Sequence, residues 1–125
     1  MKNKMLLIIS LLFGLIFINS GLNKFFYYMP IPEDLPEKVL QTMEAFNSIG
    51  WLNPLVGVVE ILGGLFFIPK KSRALGAILI FPVMVGIIVH HLVVAPSGLA
   101  VPLVLFGILL WVIVENRERY LPMVR

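Results

Sequence analysis

The sequence predicts an all-α membrane protein in which a single domain, residues 1–125, forms a four-transmembrane-helix bundle. Composition is the first reason, since 59% of the residues are hydrophobic and only 14% are charged, with a mean hydropathy of +0.97. The second reason is a set of four apolar stretches close to the roughly 20 helical residues that cross a hydrocarbon core of about 30 Å. They cover residues 5–26, 50–68, 73–94 and 99–114. Unpaired backbone amides are costly in lipid and four strands cannot close a barrel, so each stretch is predicted to be helical.

The distribution of basic residues predicts that both termini lie in the cytoplasm. Short cytoplasmic loops of membrane proteins are enriched in Lys and Arg. With four spans, one side holds Lys2, Lys4, Lys70, Lys71, Arg73, Arg117, Arg119 and Arg125, and the other holds only Lys24 and Lys38. The net charge of +3 therefore reflects topology, and basic residues at helix ends give no indication of a nucleic-acid partner. We expect an integral protein of a bacterial cytoplasmic (inner) membrane, with the lipid bilayer as its first partner.

The first outer loop is predicted to contain a short amphipathic helix. Within residues 37–47, the apolar residues recur at helical spacing. They are Val39, Leu40, Met43 and Phe46. We expect this apolar face to lie on the outer surface of the membrane.

The first apolar stretch also has features of a signal peptide, because basic residues precede an apolar run. The cleavage site that this alternative requires, Ile18-Asn19-Ser20, places a bulky residue where a small one is needed. We therefore expect the stretch to remain in place as the first transmembrane helix.

Two of the predicted spans carry a stripe of small residues that contains one charge. The first stripe is Gly14, Phe17, Gly21 and Lys24, flanked by Ser20 and Asn23, and the second is Asn53, Gly57, Glu60 and Gly64. Spacings of three and four residues place each set on one helix face, and small residues let two backbones approach, so the stripes are expected to pack together. Helical rise places Lys24 and Glu60 roughly 8 Å apart along the membrane normal. A direct ion pair, a water-bridged pair, and a snorkelling Lys24 beside a packing carboxyl all remain open.

Two adjacent histidines, His90 and His91, lie about one turn from the outer end of the third span. Neighbouring residues on a helix point about 100° apart, so we expect that both rings cannot face one metal ion or one partner. No metal site is predicted. The chain has no cysteine, which excludes disulfides, thiolate nucleophiles and cysteine-bound iron–sulfur clusters.

The polar residues of three spans together resemble the DoxX family of small four-helix membrane proteins. The matching elements are residues 14–25, residues 59–64, and Pro82 followed by residues 91–96. The resemblance covers nearly the whole chain and implies that Lys24, Glu60 and His91 are the family positions, which favours His91 over His90. Gly86 departs from the pattern, since many relatives carry Asn or another polar residue there.

The resemblance implies a membrane subunit of a quinone-linked redox system, with a redox enzyme as partner and no covalently bound cofactor. The predicted polar pocket consists of Lys24, Glu60, His91, Asn23 and Asn53. In this hypothesis Lys24 or His91 donates a hydrogen bond to a carbonyl oxygen of a quinone, and Glu60 relays a proton. Replacing His91 should then impair function, whereas replacing His90 should do little.

Two other hypotheses remain open, and the residues do not decide whether the chain is an enzyme. A non-enzymatic membrane assembly, scaffold or chaperone factor would use the same polar face to hold its helices or a client. A transporter is the weakest hypothesis, because four spans without inverted repeats leave little for alternating access unless the chain forms a homo-oligomer.

Overall fold

A computed structural model describes residues 2–28 and 34–124, and every regular element in these two ranges is helical. The α-helices are α1 Lys2–Phe26, α2 Glu37–Ser48, α3 Leu52–Phe67, α4 Arg73–Val93, α5 Ala100–Glu115 and α6 Arg117–Tyr120. Short 3-10 turns cover Pro96–Gly98 and Leu121–Val124. The predicted all-α class is confirmed for the described residues. The helices α1, α3, α4 and α5 occupy the four apolar stretches, with ends that differ by a few residues from the sequence boundaries.

Two of these helices, α1 and α4, are long and apolar enough to cross a membrane. The other two helices, α3 and α5, are shorter. Each has 16 residues, which gives a helix length of about 24 Å. α3 is bent by 92° from α2, and α5 is bent by 69° from Arg117–Met123. By length and composition the described chain therefore has two candidate spans, or up to four if each bent pair is one span.

Close contact between α1 and α3 positions the polar residues of both helices. A Cβ on Gly14 would lie 2.7 Å from the carbonyl oxygen of Gly64, and a Cβ on Gly21 would lie 2.6 Å from that of Gly57. These distances are shorter than a van der Waals contact, so glycine is what lets the two antiparallel backbones meet. The predicted packing of the two small-residue stripes is confirmed.

The buried core continues from this contact towards α4 and α5. Phe13 of α1 packs between two other rings, with centroid distances of 4.8 Å to Phe17 and 4.5 Å to Phe67. The core then runs through Ala77, Ile80, Met84, Leu109 and Val112. The outer faces of the helices expose large apolar side chains, for example Val101 and Val104 of α5. A packed interior with an apolar exterior is the arrangement that suits a helix bundle in lipid.

The turn between α3 and α4 is held by a buried arginine. Arg73 is only 4% exposed, and its guanidinium donates to the carbonyl oxygens of Phe67 at 3.0 Å and Ile68 at 2.8 Å. The last carbonyls of a helix lack intrahelical donors, and a cation there also complements the helix dipole. In the sequence Arg73 is evident only as a topological charge, because nothing in its spacing reveals this contact.

The short helix α6 returns to the same turn. The hydroxyl of Tyr120 donates to the carbonyl oxygen of Ala74 at 2.8 Å, and Arg119 donates to that of Lys71 at 3.3 Å. Burial raises the pKa of Tyr120 above its usual value. These bonds hold the end of the described chain against the first turn of α4 and the turn that precedes it.

A helix also forms where the sequence predicted one in the first loop. Within α2, Val39 and Met43 are half-buried, whereas Leu40 and Phe46 are 44% and 41% exposed. Its position on a membrane surface stays a prediction.

Candidate functional site

The two predicted ionisable partners form a direct ion pair between α1 and α3. Nζ of Lys24 lies 2.5 Å from Oε1 of Glu60 and donates to Oγ of Ser20 at 3.2 Å. The Glu60 side chain is 1% exposed and that of Lys24 is 26% exposed. Oε1 makes no directed hydrogen bond within the described residues, so its polar contact is the charge of the ammonium. Of the three arrangements left open by the sequence, the structure has the direct pair.

The ion pair borders a cavity of about 530 Å³ between the first four helices, called here the main cavity. Its lining residues are Ser20, Lys24, Phe46, Leu52, Asn53, Val56, Glu60, Pro82, Val83, Gly86, Ile87, His90 and His91. The structure therefore brings the three predicted family positions, one each on α1, α3 and α4, to one cavity. Most of the other lining side chains are apolar, as in typical small-molecule sites.

The ring of His91 is fixed by its own helix. Its Nδ1 lies 2.8 Å from the carbonyl oxygen of Ile87. A carbonyl oxygen only accepts, so Nδ1 carries the proton, and in the neutral ring Nε2 is then a hydrogen-bond acceptor. The predicted donation from His91 to a quinone oxygen would thus require the doubly protonated ring.

The expectation that the two histidine rings cannot face one partner is wrong, because both rings lie at one cavity. Both rings line the main cavity, with centroids 5.3 Å apart and planes at 87°. The separation of about 100° applies to the Cα–Cβ bonds, and rotation about χ1 and χ2 brings the two rings together. His90 also lies 6.4 Å from the ring of Phe46. The prediction that replacing His90 does little therefore loses its structural basis.

Of the two predicted asparagines, Asn53 lines the main cavity and Asn23 lines a neighbouring, smaller cavity. Asn53 lines the main cavity, and its Nδ2 donates to Oδ1 of Asn47 at 2.7 Å, which ties α2 to the first turn of α3. Asn23 lines a second cavity of about 250 Å³, called here the side cavity. Lys24, Phe46 and Asn53 line both cavities. These three residues therefore form the wall between them.

Several lining residues were not singled out from the sequence as site residues. Ser20, a flank of the first stripe in the sequence, accepts a hydrogen bond from Lys24. Phe46, which the sequence places on the apolar face of the loop helix, lines the cavity. Gly86 lines the cavity and a Cβ there would meet no atom within 4 Å, so the absent side chain leaves open space. For Ser20 the sequence does contain a signal, because residues four apart on a helix are neighbours and Lys24 follows Ser20 by four residues.

The described residues contain no group of three or more His, Cys, Asp and Glu side chains that could hold a metal ion. The chemistry on offer is an ion pair, two imidazoles and an amide around a mainly apolar space. Such a site can bind and orient the polar head group of a small molecule and can exchange protons with it.

Comparison with known proteins places the chain in a family. The DoxX family model matches residues 5–95, which contain all the residues that line the two cavities. The chain belongs to the DoxX family. No curated protein and no solved structure matches it significantly.

Proposed function

We propose that this DoxX-family membrane protein is a subunit of a quinone-linked redox system and holds a quinone-type head in the main cavity. The observation that supports this most is the direct Lys24–Glu60 pair on the wall of a cavity that also contains two imidazoles. Ionisable groups inside membrane helices are costly and generally mark a pathway or a binding site. The cavity volume of about 530 Å³ lies within the usual range for small-molecule sites.

Conversion of a quinone to a hydroquinone takes up two electrons and two protons. The chain has no cysteine for a cluster and carries both histidines on one helix, so the electrons are assigned to a partner redox enzyme. The chain itself orients the head and moves protons. Lys24 donates hydrogen bonds, while the Glu60 carboxylate accepts them.

Titration with a short-tailed quinone analogue tests this assignment. The full chain in detergent should bind the analogue, and Lys24→Met and Glu60→Gln should weaken binding to a similar extent because each removes half of one unit. Lys38→Met and Glu44→Gln are matched controls, since both residues are exposed on α2 and line neither cavity. Absence of binding by the unmodified chain, or equal loss in the controls, would contradict the proposal.

A non-enzymatic assembly or scaffold role is the second candidate, and the ion pair favours it in a different way. The pair links α1 to α3 next to their glycine contact, so it can specify helix register without any ligand. In that case Lys24→Met and Glu60→Gln would reduce folding and partner association, and no quinone analogue would bind.

The same proposal includes four spans with both termini in the cytoplasm of a bacterial cell. The four-span topology is supported by the apolar exterior of α5. A helix several ångströms shorter than the hydrocarbon core can still cross it, because the free-energy cost of this hydrophobic mismatch is small. The chain has no cysteine, so single cysteines can be labelled cleanly. An impermeant maleimide added outside should label Glu44→Cys and should not label Asn3→Cys or Met123→Cys. Labelling of either terminal position from outside would overturn the orientation.

A further inference from the structure

We infer that the ligand of the main cavity carries an apolar tail, which leaves the cavity through a lateral opening at Gly86 and extends into the lipid. The inference rests on the proposed function and deepens it, because it assigns the ligand to the class of tailed, lipid-soluble molecules and makes Gly86 a specificity-determining residue. It follows from the position of the opening, its depth in the membrane and the space beside it.

The wall of the main cavity is open along one row of residues on α4. Among the described lining residues, Phe46, Pro82 and Gly86 are exposed, whereas all the others are buried or half-buried. Pro82, Gly86 and His90 follow one another at a spacing of four residues, so they form one row on the helix surface. The ring of Phe46 lies 6.4 Å from that of His90, which places α2 at one end of this row. The opening therefore runs from Phe46 along α4 to Pro82, with Gly86 between them.

In the four-span arrangement this opening faces the hydrocarbon of the membrane. α4 is long and apolar enough to cross a bilayer, and Gly86 lies seven residues before its last residue, Val93, which is about 10 Å along the helix. The neighbouring side chains of Val85 and Val89 are 40% and 51% exposed and do not line the cavity. Gly86 thus lies between the cavity and the lipid-facing side of α4.

The glycine keeps the opening clear. A Cβ at Gly86 would meet no atom within 4 Å, whereas a Cβ at Gly64 would lie 2.6 Å from the facing backbone. Close helix packing therefore requires glycine at position 64 and does not require it at position 86. Atoms of an apolar chain pack at about 4 Å from their neighbours, so the space beside Gly86 can admit such a chain.

A tailed molecule fits the distribution of polarity around the cavity. Its polar head can lie at the Lys24–Glu60 pair on α1 and α3, and its tail can reach lipid over Gly86 on α4. The tail then stays in hydrocarbon, where apolar groups are most stable. A wholly polar molecule of the same head would leave the opening to lipid unfilled.

Equilibrium binding to the full chain in lipid nanodiscs tests the inference. The two probes share one quinone head, and one of them carries a decyl tail. In Gly86→Leu the tailed probe should bind roughly tenfold more weakly than to the unmodified chain, because the new side chain and the tail compete for one space. The affinity of the tailless probe should change by about threefold or less. Each probe is compared only between variants, so its partition into lipid cancels.

Two further variants separate this effect from general ones. Gly107→Leu is the matched control, because a Cβ at Gly107 also meets no atom within 4 Å and the residue lies on α5, outside both cavities. It should leave the affinity for both probes unchanged. Gly86→Ala adds a smaller side chain and should weaken binding of the tailed probe less than Gly86→Leu does. Since the added Cβ meets no atom at Gly86, both variants should fold as the unmodified chain does.

The outcomes separate the inference from the proposed function. Equal affinity of the tailed probe for Gly86→Leu and the unmodified chain overturns the inference alone, as does an equal loss for both probes, which would mean that position 86 limits the head. Displacement of the tailed probe by decanol, which has the tail and no quinone head, would show that an acyl chain of the lipid occupies the opening and would also overturn the inference. Failure of the unmodified chain to bind either probe overturns both.

Discussion

Gly64 offers the most direct test of the contact between α1 and α3. A Cβ at this position would lie 2.6 Å from the carbonyl oxygen of Gly14 and 2.8 Å from Cγ1 of Ile18, whereas favourable contacts begin near 3.5 Å. The isoleucine can rotate, but the carbonyl belongs to the facing backbone, so the helices themselves must move apart. Overpacking of this kind costs about 1–3 kcal/mol, and the higher helix propensity of alanine offsets about 1 kcal/mol. We expect Gly64→Ala to lower the free energy of unfolding by about 1 kcal/mol, and Gly64→Leu by about 3 kcal/mol or more.

Gly107 of α5 provides the matched control, because a Cβ there meets no atom within 4 Å. Only helix propensity acts at that position, so Gly107→Ala should raise the free energy of unfolding by up to about 1 kcal/mol. The two alanine variants should therefore differ by about 2 kcal/mol, or roughly thirtyfold in the unfolding equilibrium constant. Unfolding with sodium dodecyl sulfate in mixed micelles, followed by circular dichroism, measures this difference. Equal shifts in the two variants would refute the argument that close backbone contact determines the packing of α1 on α3.

Three further predictions concern the charged and phenolic groups. Lys24→Met should destabilise the fold by leaving the buried Glu60 carboxyl without its ammonium partner, and Glu60→Gln should do so by removing the counter-charge of Lys24. A double-mutant cycle should give a coupling of about 1 kcal/mol or more; additive losses would contradict the direct pair. Arg73→Gln should lower the free energy of unfolding by about 1.5–3 kcal/mol because two charge-assisted hydrogen bonds are lost, while Lys70→Gln, at an exposed neighbour, should change it little. Because burial raises the pKa of Tyr120 above 10.0, its neutral phenol stabilises the fold below about pH 10, and this contribution is lost as the pH rises through the folded value. Tyr120→Phe should therefore be less stable at neutral pH and decline less steeply above about pH 10, as thermal unfolding at several pH values would show.

The helix contact could be predicted because its determinants are local in the sequence. Gly14 and Gly21 are seven residues apart, as are Gly57 and Gly64, and seven residues are almost two helical turns. Each pair therefore lies on one face, and small residues have a clear role in membrane helices. The partnership of a lone charge on each stripe follows from the same periodicity.

Other parts of the site depend on quantities that periodicity does not contain. Whether His90 and His91 share a cavity is determined by side-chain rotamers, and their Cβ directions alone led to the wrong expectation. Phe46 reaches the cavity because α2 is bent sharply from α3, and that angle depends on the loop. The gap of roughly 8 Å expected between Lys24 and Glu60 along the membrane normal can be closed by helix tilt and an extended lysine stem, or by a bridging water, and helical rise alone does not decide between them.

Gly57 contributes both to the packing of α1 on α3 and to the geometry of the ion pair. A Cβ on Gly57 would lie 3.3 Å from Cβ of Lys24 and 2.9 Å from a ring carbon of Phe25, so the missing side chain makes room for the stem of the lysine. Glu60 follows three residues later on the same face of α3. The backbone approach that holds α1 against α3 therefore also limits the distance between ammonium and carboxylate. In a medium of low dielectric constant a small change in that distance alters the interaction energy greatly, so the strength of the ion pair depends on how closely the two helices pack.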